Sequence, residues 1–338
     1  MRKYLLFGAL TLSLSFVAQA QTLINGAGAT FPAPIYTKWF SKYAAVDTNI
    51  HINYQPAGSG AGIAQVTSGT VDFGASDMPM ADDAIAKAKI KVLHFPSVMG
   101  GVVPTYNIPG VTVQLNFSQQ ALVGIFLGKI TKWNDPAIAS VNKGVNLPNE
   151  NITVVHRADG SGTTFVFTDF LSTASPEWAS PKGPGKGATV NWPVGLASKG
   201  SDGVTGLLKQ QKYSIGYVEL IFAATNKLLY GKVQNKAGQF IQASPESVAA
   251  AAASSMKTMP ADFRVSIVNA PGRTAYPLST FTWLLIPAEI RDATKKKALV
   301  SFLNWMLTTG QDDCESLDYV RLPKDVITQE LKAIAEIH

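Results

Sequence analysis

Cysteine is nearly absent from this chain of 338 residues, which contains only Cys314. A single cysteine excludes any disulfide within the chain, so hydrophobic cores must hold the fold together. It also lies far from the N-terminus, which argues against the lipid-modified cysteine that tethers secreted lipoproteins. The chain is long enough for two domains, and 46% of its residues are hydrophobic. We therefore expect well-packed domains without a long disordered tract.

Histidine and charged side chains are also scarce. No metal-ligand spacing appears among the four histidines, and no nucleophile stands beside an evident base. This pattern argues against an enzyme such as a phosphatase, and it predicts no cofactor. Charged residues make up 15% of the chain, with a formal net charge of +6. The densest basic cluster, residues 295–297, predicts one solvated helix face and no nucleic-acid surface.

Only the N-terminus carries a long apolar run. Arg2 and Lys3 precede the apolar residues 5–17, and the small-residue site AQA follows at residues 18–20. This order is typical of a secretory signal peptide that is cleaved after Ala20. A membrane anchor is the alternative, but the run is too short to span a bilayer. We therefore expect a periplasmic protein that is not anchored to the membrane.

Short apolar strand patterns alternate with helical patterns after the N-terminal run. Predicted strands end at glycine-rich or small polar loops at residues 26–30, 58–62 and 76–77. Helical spacing of apolar residues follows the first two loops. This alternation is typical of βαβ units and a largely parallel sheet. Ligands gather at the carboxyl edge of such a sheet, so the loops predict a binding site there.

A second unit of the same kind follows along the chain. It contains a predicted strand at residues 152–156 and a polar loop at residues 157–164, which leads into a helix. A long apolar strand pattern and two helices lie near the C-terminus. We expect an α/β protein in which residues 21–98 and 276–338 form one lobe and residues 99–275 form the other. Two chain crossings would then hinge the lobes.

The glycine-rich loops do not match the usual nucleotide or hydrolase motifs. Where the dinucleotide pattern needs its third glycine, one G-x-G loop has Phe31 and the other has Ile63. Residues 124–131 fail the Walker pattern because Ile130 stands where serine or threonine is required. The G-x-S-x-G nucleophile elbow is missing from the sequence. The loops therefore predict a simpler anion site that is built from backbone N–H groups.

Three predicted helix starts could supply these N–H groups. Thr30-Phe31 opens the first helix, Ser59 opens the second, and Ser161-Gly162-Thr163 opens one in the other lobe. The first N–H groups of a helix lack intrahelical partners and attract anions. Each serine or threonine could instead serve only as an N-cap. Arg157 adds a guanidinium that could hold an oxyanion or could pair only with Asp159.

Asp77 is the unexpected member of this set, because a carboxylate repels a fully ionised anion. Phosphate near neutral pH still carries a hydrogen that it can donate to Asp77, whereas sulfate carries none. The carboxylate would then exclude sulfate or molybdate at a cost of several kcal/mol. The alternative is that Asp77 only caps a helix that begins near Ala81 or forms a turn.

The chain closely resembles the phosphate-binding proteins of the high-affinity Pst-type phosphate transporters. The resemblance covers almost the whole chain after the predicted signal peptide. The matching segments are GAGATFPAP (residues 26–34), VDFGASD (71–77), FLGKI (126–130) with Trp133, RADGSGT (157–163), IGYVE (215–219) and LDY (317–319).

This resemblance implies a two-lobed periplasmic binding protein fold of type II, in which each lobe is a mainly parallel sheet flanked by helices. Hinge crossovers would join the lobes. The implied function is to bind inorganic phosphate as a monomer and to deliver it to the permease subunits of an ABC transporter with its ATPase.

The resemblance also implies a set of binding residues. Asp77 would accept the hydrogen of phosphate, Arg157 would supply the charged pair, and Asp159 would orient Arg157 from behind. Two departures from the family pattern affect the surroundings: Gly60 replaces a frequent second serine, and His156 stands where another basic residue is common. The implied phosphate-binding residues are Thr30, Phe31, Ser59, Asp77, Arg157, Ser161, Gly162 and Thr163.

Overall fold

A computed structural model of the protein describes residues 21–256 and 259–338. The signal peptide predicted for residues 1–20 lies outside the described residues. Across the described part of the chain, no helix is both long and apolar enough to cross a membrane. Strands and helices alternate along most of this part, as the sequence predicted.

The helices are α1 (Ala33–Val46), α2 (Ser59–Ser68), α3 (Asp82–Lys87), α4 (Gln119–Phe126), α5 (Pro136–Ala139), α6 (Gly162–Ala174), α7 (Pro176–Ala179), α8 (Gly200–Gln210), α9 (Leu220–Thr225), α10 (Pro245–Ser255), α11 (Ala293–Thr308) and α12 (Lys324–Ala333). Short 3-10 helices cover Gly310–Asp313, Glu315–Leu317 and Ile334–Glu336.

The strands are β1 (Thr22–Gly28), β2 (Ile50–Pro56), β3 (Phe73–Ser76), β4 (Val92–Asn107), β5 (Asn116–Phe117), β6 (Thr153–Arg157), β7 (Leu196–Ser198), β8 (Ser214–Glu219), β9 (Leu229–Tyr230), β10 (Lys232–Gln234), β11 (Phe240–Ile241) and β12 (Ser279–Pro287).

Most strands belong to one nine-stranded sheet in the order β2-β1-β3-β12-β4-β8-β6-β7, with β9 beside β4. Strands β2, β1 and β3 run parallel on one flank, and β8, β6 and β7 run parallel on the other. Between the flanks, β12 and β4 lie antiparallel to their neighbours. A small separate sheet contains β11, β10 and β5. The predicted parallel strands therefore form the flanks of two lobes, and an antiparallel pair joins them.

Strand β4 is shared by both lobes. Its residues 92–101 pair with β12, and its residues 102–107 pair with β8. The pairing partner therefore changes between Gly101 and Val102. The chain passes from one lobe to the other within this strand and returns to the first lobe at β12, which pairs with β3 and β4.

Each lobe has a core that is rich in aromatic residues. In the first lobe, α1 buries one face at helical spacing. In the second lobe, Phe167 of α6 stacks on Tyr217 of β8 with ring centroids 4.4 Å apart. Cys314 is also fully buried, and burial raises the pKa of its thiol to about 12. The buried face of α1 consists of Ile35, Tyr36, Trp39, Phe40 and Tyr43.

Glu330 of α12 is a carboxyl group buried in the first lobe, and its residue has 0% exposure. Neither of its oxygens has a hydrogen-bond partner among the residues that the structure describes. Burial raises its pKa well above the usual range, because the charged form cannot be hydrated there. The folded protein therefore holds a proton that the unfolded chain releases, and stability falls as pH rises above the ordinary glutamate pKa.

The substitution Glu330→Gln should weaken this pH dependence. Between pH 5 and 8, the wild-type free energy of unfolding should fall relative to that of the variant, by up to about 1.4 kcal/mol per pH unit until the folded-state pKa is reached. Urea unfolding at several pH values measures the difference. The exposed control Glu289→Gln should follow the wild-type profile, and parallel profiles for Glu330→Gln and wild type would contradict the argument.

Candidate functional site

Loops from the two lobes meet at the carboxyl ends of the parallel strands. The backbone N–H of Gly60 donates to the carbonyl oxygen of Gly160 across the gap, at 2.9 Å. The hydroxyl oxygens of Thr30 and Ser201, also from opposite lobes, lie 2.8 Å apart. These contacts bring the two walls of one closed cleft together. The cleft lies where the sequence placed its binding loops.

The sequence analysis predicted that Thr30 and Phe31 open the first helix, but they lie in a turn directly before α1. The helix begins at Ala33 because Pro32 and Pro34 occupy its N-cap and first turn, where a missing N–H costs nothing. The side chain of Phe31 is 1% exposed and packs against Tyr319. Only the backbone of Phe31 can therefore face the cleft.

Two tyrosines fix this turn. The hydroxyl of Tyr54 donates to the carbonyl oxygen of Ala29 at 2.7 Å, and the hydroxyl of Tyr319 donates to the carbonyl oxygen of Phe31 at 2.5 Å. Both carbonyl oxygens beside Thr30 are thus satisfied within the protein. The turn can offer its donors to the cleft without presenting those oxygens to an anion.

Ser59 is the first residue of α2 and is fully buried. Its Oγ accepts hydrogen bonds from the N–H of Gly162 in the opposite lobe, at 3.0 Å, and from the N–H of Asp77, at 3.2 Å. The Ser59 hydroxyl therefore connects both walls of the cleft. Gly60 does not offer its N–H to the cleft, because that group donates to Gly160.

Asp77 follows β3 and is 2% exposed. Its Oδ1 accepts a hydrogen bond from the hydroxyl of Thr282 at 2.9 Å, and its Oδ2 accepts one from Ser59 at 3.4 Å. It does not cap α3, which begins at Asp82 with Ala81 as a cap that has no side-chain hydrogen bond. The helix-cap interpretation of Asp77 therefore fails, and its carboxyl group belongs to the cleft.

The electrostatic environment of Asp77 favours its protonated form. Burial is the main cause, and the nearby carboxylate of Glu219 adds to it, so that the pKa of Asp77 lies well above the usual range. The hydroxyl of Thr282 and the charge of Arg157 oppose this shift without reversing it. Asp77 can therefore share a hydrogen with a ligand.

Arg157 ends β6, and its side chain is 2% exposed. Its Nε and Nη2 donate to the two carboxylate oxygens of Asp159 at 2.8 and 2.6 Å. Its Nη1 lies 3.2 Å from Oγ of Ser201 and 3.4 Å from Oγ1 of Thr163. Burial alone would lower the pKa of the Arg157 guanidinium. The hydrogen bonds and charge of Asp159 outweigh the effect of burial, so the pKa is raised. The pairing with Asp159 leaves Nη1 directed at the cleft residues.

Ser161, Gly162 and Thr163 stand at the start of α6, as predicted. Ser161 is the N-cap, and its Oγ accepts a hydrogen bond from the N–H of Thr164 at 3.1 Å. Its own backbone N–H donates to Ala188 at 2.9 Å, so only its hydroxyl hydrogen remains for a ligand. Ser161 is therefore an N-cap whose hydroxyl can still donate to a ligand.

Three further cleft residues escaped the sequence analysis, namely Ser201, Glu219 and Thr282. Ser201 follows a small-residue loop at the start of α8, which is the same pattern that revealed Ser59. Glu219 ends β8 and accepts a hydrogen bond from Thr163. Thr282 lies inside the buried strand β12, where alternation cannot show which side chain reaches a cleft. The position of Glu219 at a strand end could have identified it.

His156 does not extend the positive charge of the cleft. Its ring stacks on Trp192 with centroids 5.0 Å apart. Burial lowers its pKa below the usual value, so the imidazole is neutral near pH 7. Among residues 21–256 and 259–338, no group of three or more His, Cys, Asp or Glu side chains could hold a metal ion.

Two α/β lobes that close over a buried, donor-lined cleft define the class of two-lobed solute-binding proteins. The family model described as the PBP superfamily domain matches residues 17–309 of the chain. A phosphate-binding protein PstS of Pasteurella multocida is 44% identical over 98% of this chain and 95% of its own length. PstS of Haemophilus influenzae is 43% identical over 94% of each chain. The chain belongs to the PstS family of phosphate-binding proteins.

Solved structures share the fold at lower sequence identity. A high-affinity periplasmic phosphate-binding protein bound with phosphate has a TM-score of 0.74 and 21% identity, with 91% of this chain and 93% of that chain covered. A phosphate-binding protein from Stenotrophomonas maltophilia has a TM-score of 0.73 and 19% identity, with 92% and 94% covered. These likenesses show the two-lobed fold.

Closure of the cleft should depend on the absence of a side chain at Gly162. A Cβ atom added there would lie 2.6 Å from Cβ of Asp77 and 2.5 Å from Oγ of Ser59, both in the opposite lobe. The substitution Gly162→Ala should therefore hold the lobes apart and increase the radius of gyration in small-angle scattering. Gly206→Ala is the matched control, because a Cβ there meets nothing within 4 Å. Identical scattering from both variants would contradict this role of Gly162.

Proposed function

We propose that this protein binds inorganic phosphate in the periplasm and delivers it to the membrane permease of an ABC transporter. The observation that carries this proposal is the convergence of Arg157, the helix starts of α2 and α6, and Asp77 in one closed cleft. The PstS names of its relatives support phosphate as the ligand. The predicted signal peptide supports export, and a free monomer without enzymatic activity fits this role.

The cleft offers an anion many neutral donors and only one cation. Thr30, Phe31 and Ser59 would donate from the first lobe, whereas Ser161 and Thr163 would donate from the second. The N–H of Gly162 donates to Ser59 in the closed cleft and would have to turn from Ser59 to the anion. Arg157 would complete the set through Nη1 while Asp159 keeps the guanidinium oriented. Hydrogen bonds from fixed donors are strong in a site without water. They could supply the roughly 8 kcal/mol that micromolar binding requires.

The lobes would open and close around the shared strand β4. We propose residues 21–98 with 276–338 as the first lobe and residues 99–275 as the second. Bonds such as that between Gly60 and Gly160 would then form only on closure. A closed form that differs in shape from the open one gives the permease a way to recognise the loaded protein.

Asp77 would select phosphate over sulfate. Phosphate brings a hydrogen that Asp77 can accept. Sulfate has no hydrogen to donate and would lie against an ionised carboxylate. Because the pKa of Asp77 is raised, Asp77 is protonated in a larger fraction of the protein molecules as the pH falls. That protonated form could donate to sulfate. Selection should therefore be strongest at alkaline pH.

Replacement of Asp77 tests the selectivity. Calorimetry should show tight phosphate binding and little sulfate binding by the wild type. In Asp77→Asn the phosphate affinity should fall by about tenfold to a hundredfold, because a charged hydrogen bond of about 1.5–3 kcal/mol is lost. Sulfate affinity should rise, since the amide can donate. The exposed control Asp83→Asn should leave both affinities unchanged, and equal wild-type affinity for the two anions would refute the role of Asp77.

The pH dependence of sulfate binding provides a second test, because sulfate itself does not titrate near neutrality. Above the raised pKa of Asp77, sulfate affinity should fall as pH rises, by up to about tenfold per pH unit. In Asp77→Asn this decrease should disappear. Calorimetry from pH 5 to 9 measures both profiles. A sulfate affinity that is flat in the wild type would show that Asp77 does not control access of ionised anions.

A further inference from the structure

The backbone that follows Asp77 is held by side chains from β4 and from a later loop. The N–H of Met80, three residues after Asp77, donates to Nε2 of His94 at 3.1 Å. The carbonyl oxygen of Met80 accepts a hydrogen bond from Nη1 of Arg264 at 2.9 Å. Met80 and His94 are 1% and 4% exposed. The proposed phosphate contacts do not account for this double attachment of one buried residue.

Arg264 reaches Met80 in a fixed orientation. Its Nε donates to Oδ2 of Asp262 at 2.7 Å, and the Nη1 that binds Met80 also donates to Oδ1 of Asp82 at 2.6 Å. Asp82 is the first residue of α3, so one guanidinium holds the chain on both sides of Ala81. The two carboxylates also balance the charge of Arg264 locally. Arg264 can therefore act on Asp77 through the position of the backbone rather than through its charge.

The turn that carries Arg264 is fixed against the first lobe. Phe263 is 3% exposed and has a φ angle of 58°, which bulky side chains rarely adopt and which persists only where surrounding contacts impose it. The carbonyl oxygen of Phe263 accepts a hydrogen bond from Nε1 of Trp283 at 2.9 Å. Trp283 directly follows Thr282, whose hydroxyl donates to Asp77. The turn therefore contacts both structures that hold Asp77, namely β12 and the segment after Asp77.

The same turn is tied to the opposite lobe. Oγ of Ser266 donates to Oδ2 of Asp169 in α6 at 2.9 Å. Lys186 pairs with the other carboxylate oxygen of Asp169 at 3.0 Å. Helix α6 begins with the donors proposed for the second lobe. The chain between Arg264 and Ser266 is thus a short link between the segment after Asp77 and the donor helix of the second lobe.

We propose that Arg264 is a positioning residue for phosphate selectivity, which holds the backbone of residues 77–81 so that the carboxyl group of Asp77 faces the ligand. The inference rests on the proposed phosphate binding. Without Arg264, the buried carbonyl oxygen of Met80 loses the guanidinium donor, and the segment after Asp77 can shift. Asp77 would then no longer meet the hydrogen of phosphate at one defined position. Phosphate should lose affinity for this reason, whereas sulfate, which Asp77 repels, should lose less.

A double-mutant cycle tests this inference. Phosphate and sulfate affinities are measured by calorimetry at one pH for wild type, Arg264→Met, Asp77→Asn and the double variant. Methionine keeps an apolar stem at position 264 and removes the donors. The phosphate-to-sulfate affinity ratio should fall about tenfold in Arg264→Met, which corresponds to roughly 1.4 kcal/mol. In the Asp77→Asn background the same substitution should change the ratio less than about twofold, because the carboxylate that Arg264 positions is already absent.

The control Arg291→Met makes the same change in net charge at a side chain that is 94% exposed, and it should leave the ratio unaltered. Equal losses of phosphate and sulfate affinity in Arg264→Met would show a general structural role. The same change of the ratio in both Asp77 backgrounds would show that Arg264 acts independently of Asp77. Either result overturns the proposal, as does an unchanged ratio.

If Arg264→Met lacks a cooperative thermal transition, Arg264→Lys decides the question. A single ammonium keeps the charge but lacks the fork that reaches two carboxylates and the carbonyl oxygen of Met80 together, so it should pair with the carboxylates and release the carbonyl. The ratio should again fall, by about threefold or more, and an unchanged ratio overturns the proposal. A wild type that binds neither anion would instead refute the proposed function, and the inference with it.

Discussion

The cleft depends on how one buried cation is balanced. A guanidinium that is 2% exposed would be prohibitively costly without a partner, and Asp159 meets it with two parallel hydrogen bonds. Asp159 also accepts the N–H of Gly200 at the start of α8, at 3.0 Å. One carboxylate therefore orients Arg157 and anchors the helix that carries Ser201. It thus ties together the strand end and the helix start that form the second wall of the cleft.

The remaining polar contacts follow from this balance. With most of the positive charge already neutralised, attraction of an anion must come from hydroxyl and backbone dipoles in both lobes. Such dipoles act only over short distances, so they require the lobes to approach closely. The small residues Gly60, Gly160 and Gly162 make that approach possible. Close packing and anion recognition are thus the same requirement in this cleft.

Much of the fold could be predicted from the sequence, because alternating apolar patterns and glycine-rich loops are local signals. They located the helix starts of α2 and α6 and the strand ends before Asp77 and Arg157. The antiparallel placement of β4 and β12 could not be derived in this way, since strands buried on both faces are uniformly apolar. The turn at Thr30 was misjudged because two prolines delay the start of α1.

The site was predictable only where function coincides with a local motif. Ser59 begins α2 after a glycine-containing loop and Arg157 ends β6, and the structure brings them together with Asp77. Thr282 reaches the cleft through tertiary packing, which no local pattern encodes. Ser201 and Glu219 do carry local signals, a small-residue helix start and a strand end, that the sequence analysis did not use. The N–H groups of Gly60 and Ser161 donate to carbonyl oxygens of the protein itself. These acceptors are distant in sequence, so the sequence could not reveal that the two N–H groups are occupied.

The burial of Cys314 has a practical consequence for studies of motion. With its thiol pKa raised to about 12 and its side chain inaccessible, the native cysteine is almost inert toward thiol-reactive probes at neutral pH. A pair of cysteines introduced on the outer surfaces of the two lobes could therefore be labelled without removing the native one. Energy transfer or spin–spin distances between such labels would report the opening of single molecules against a background free of competing sites.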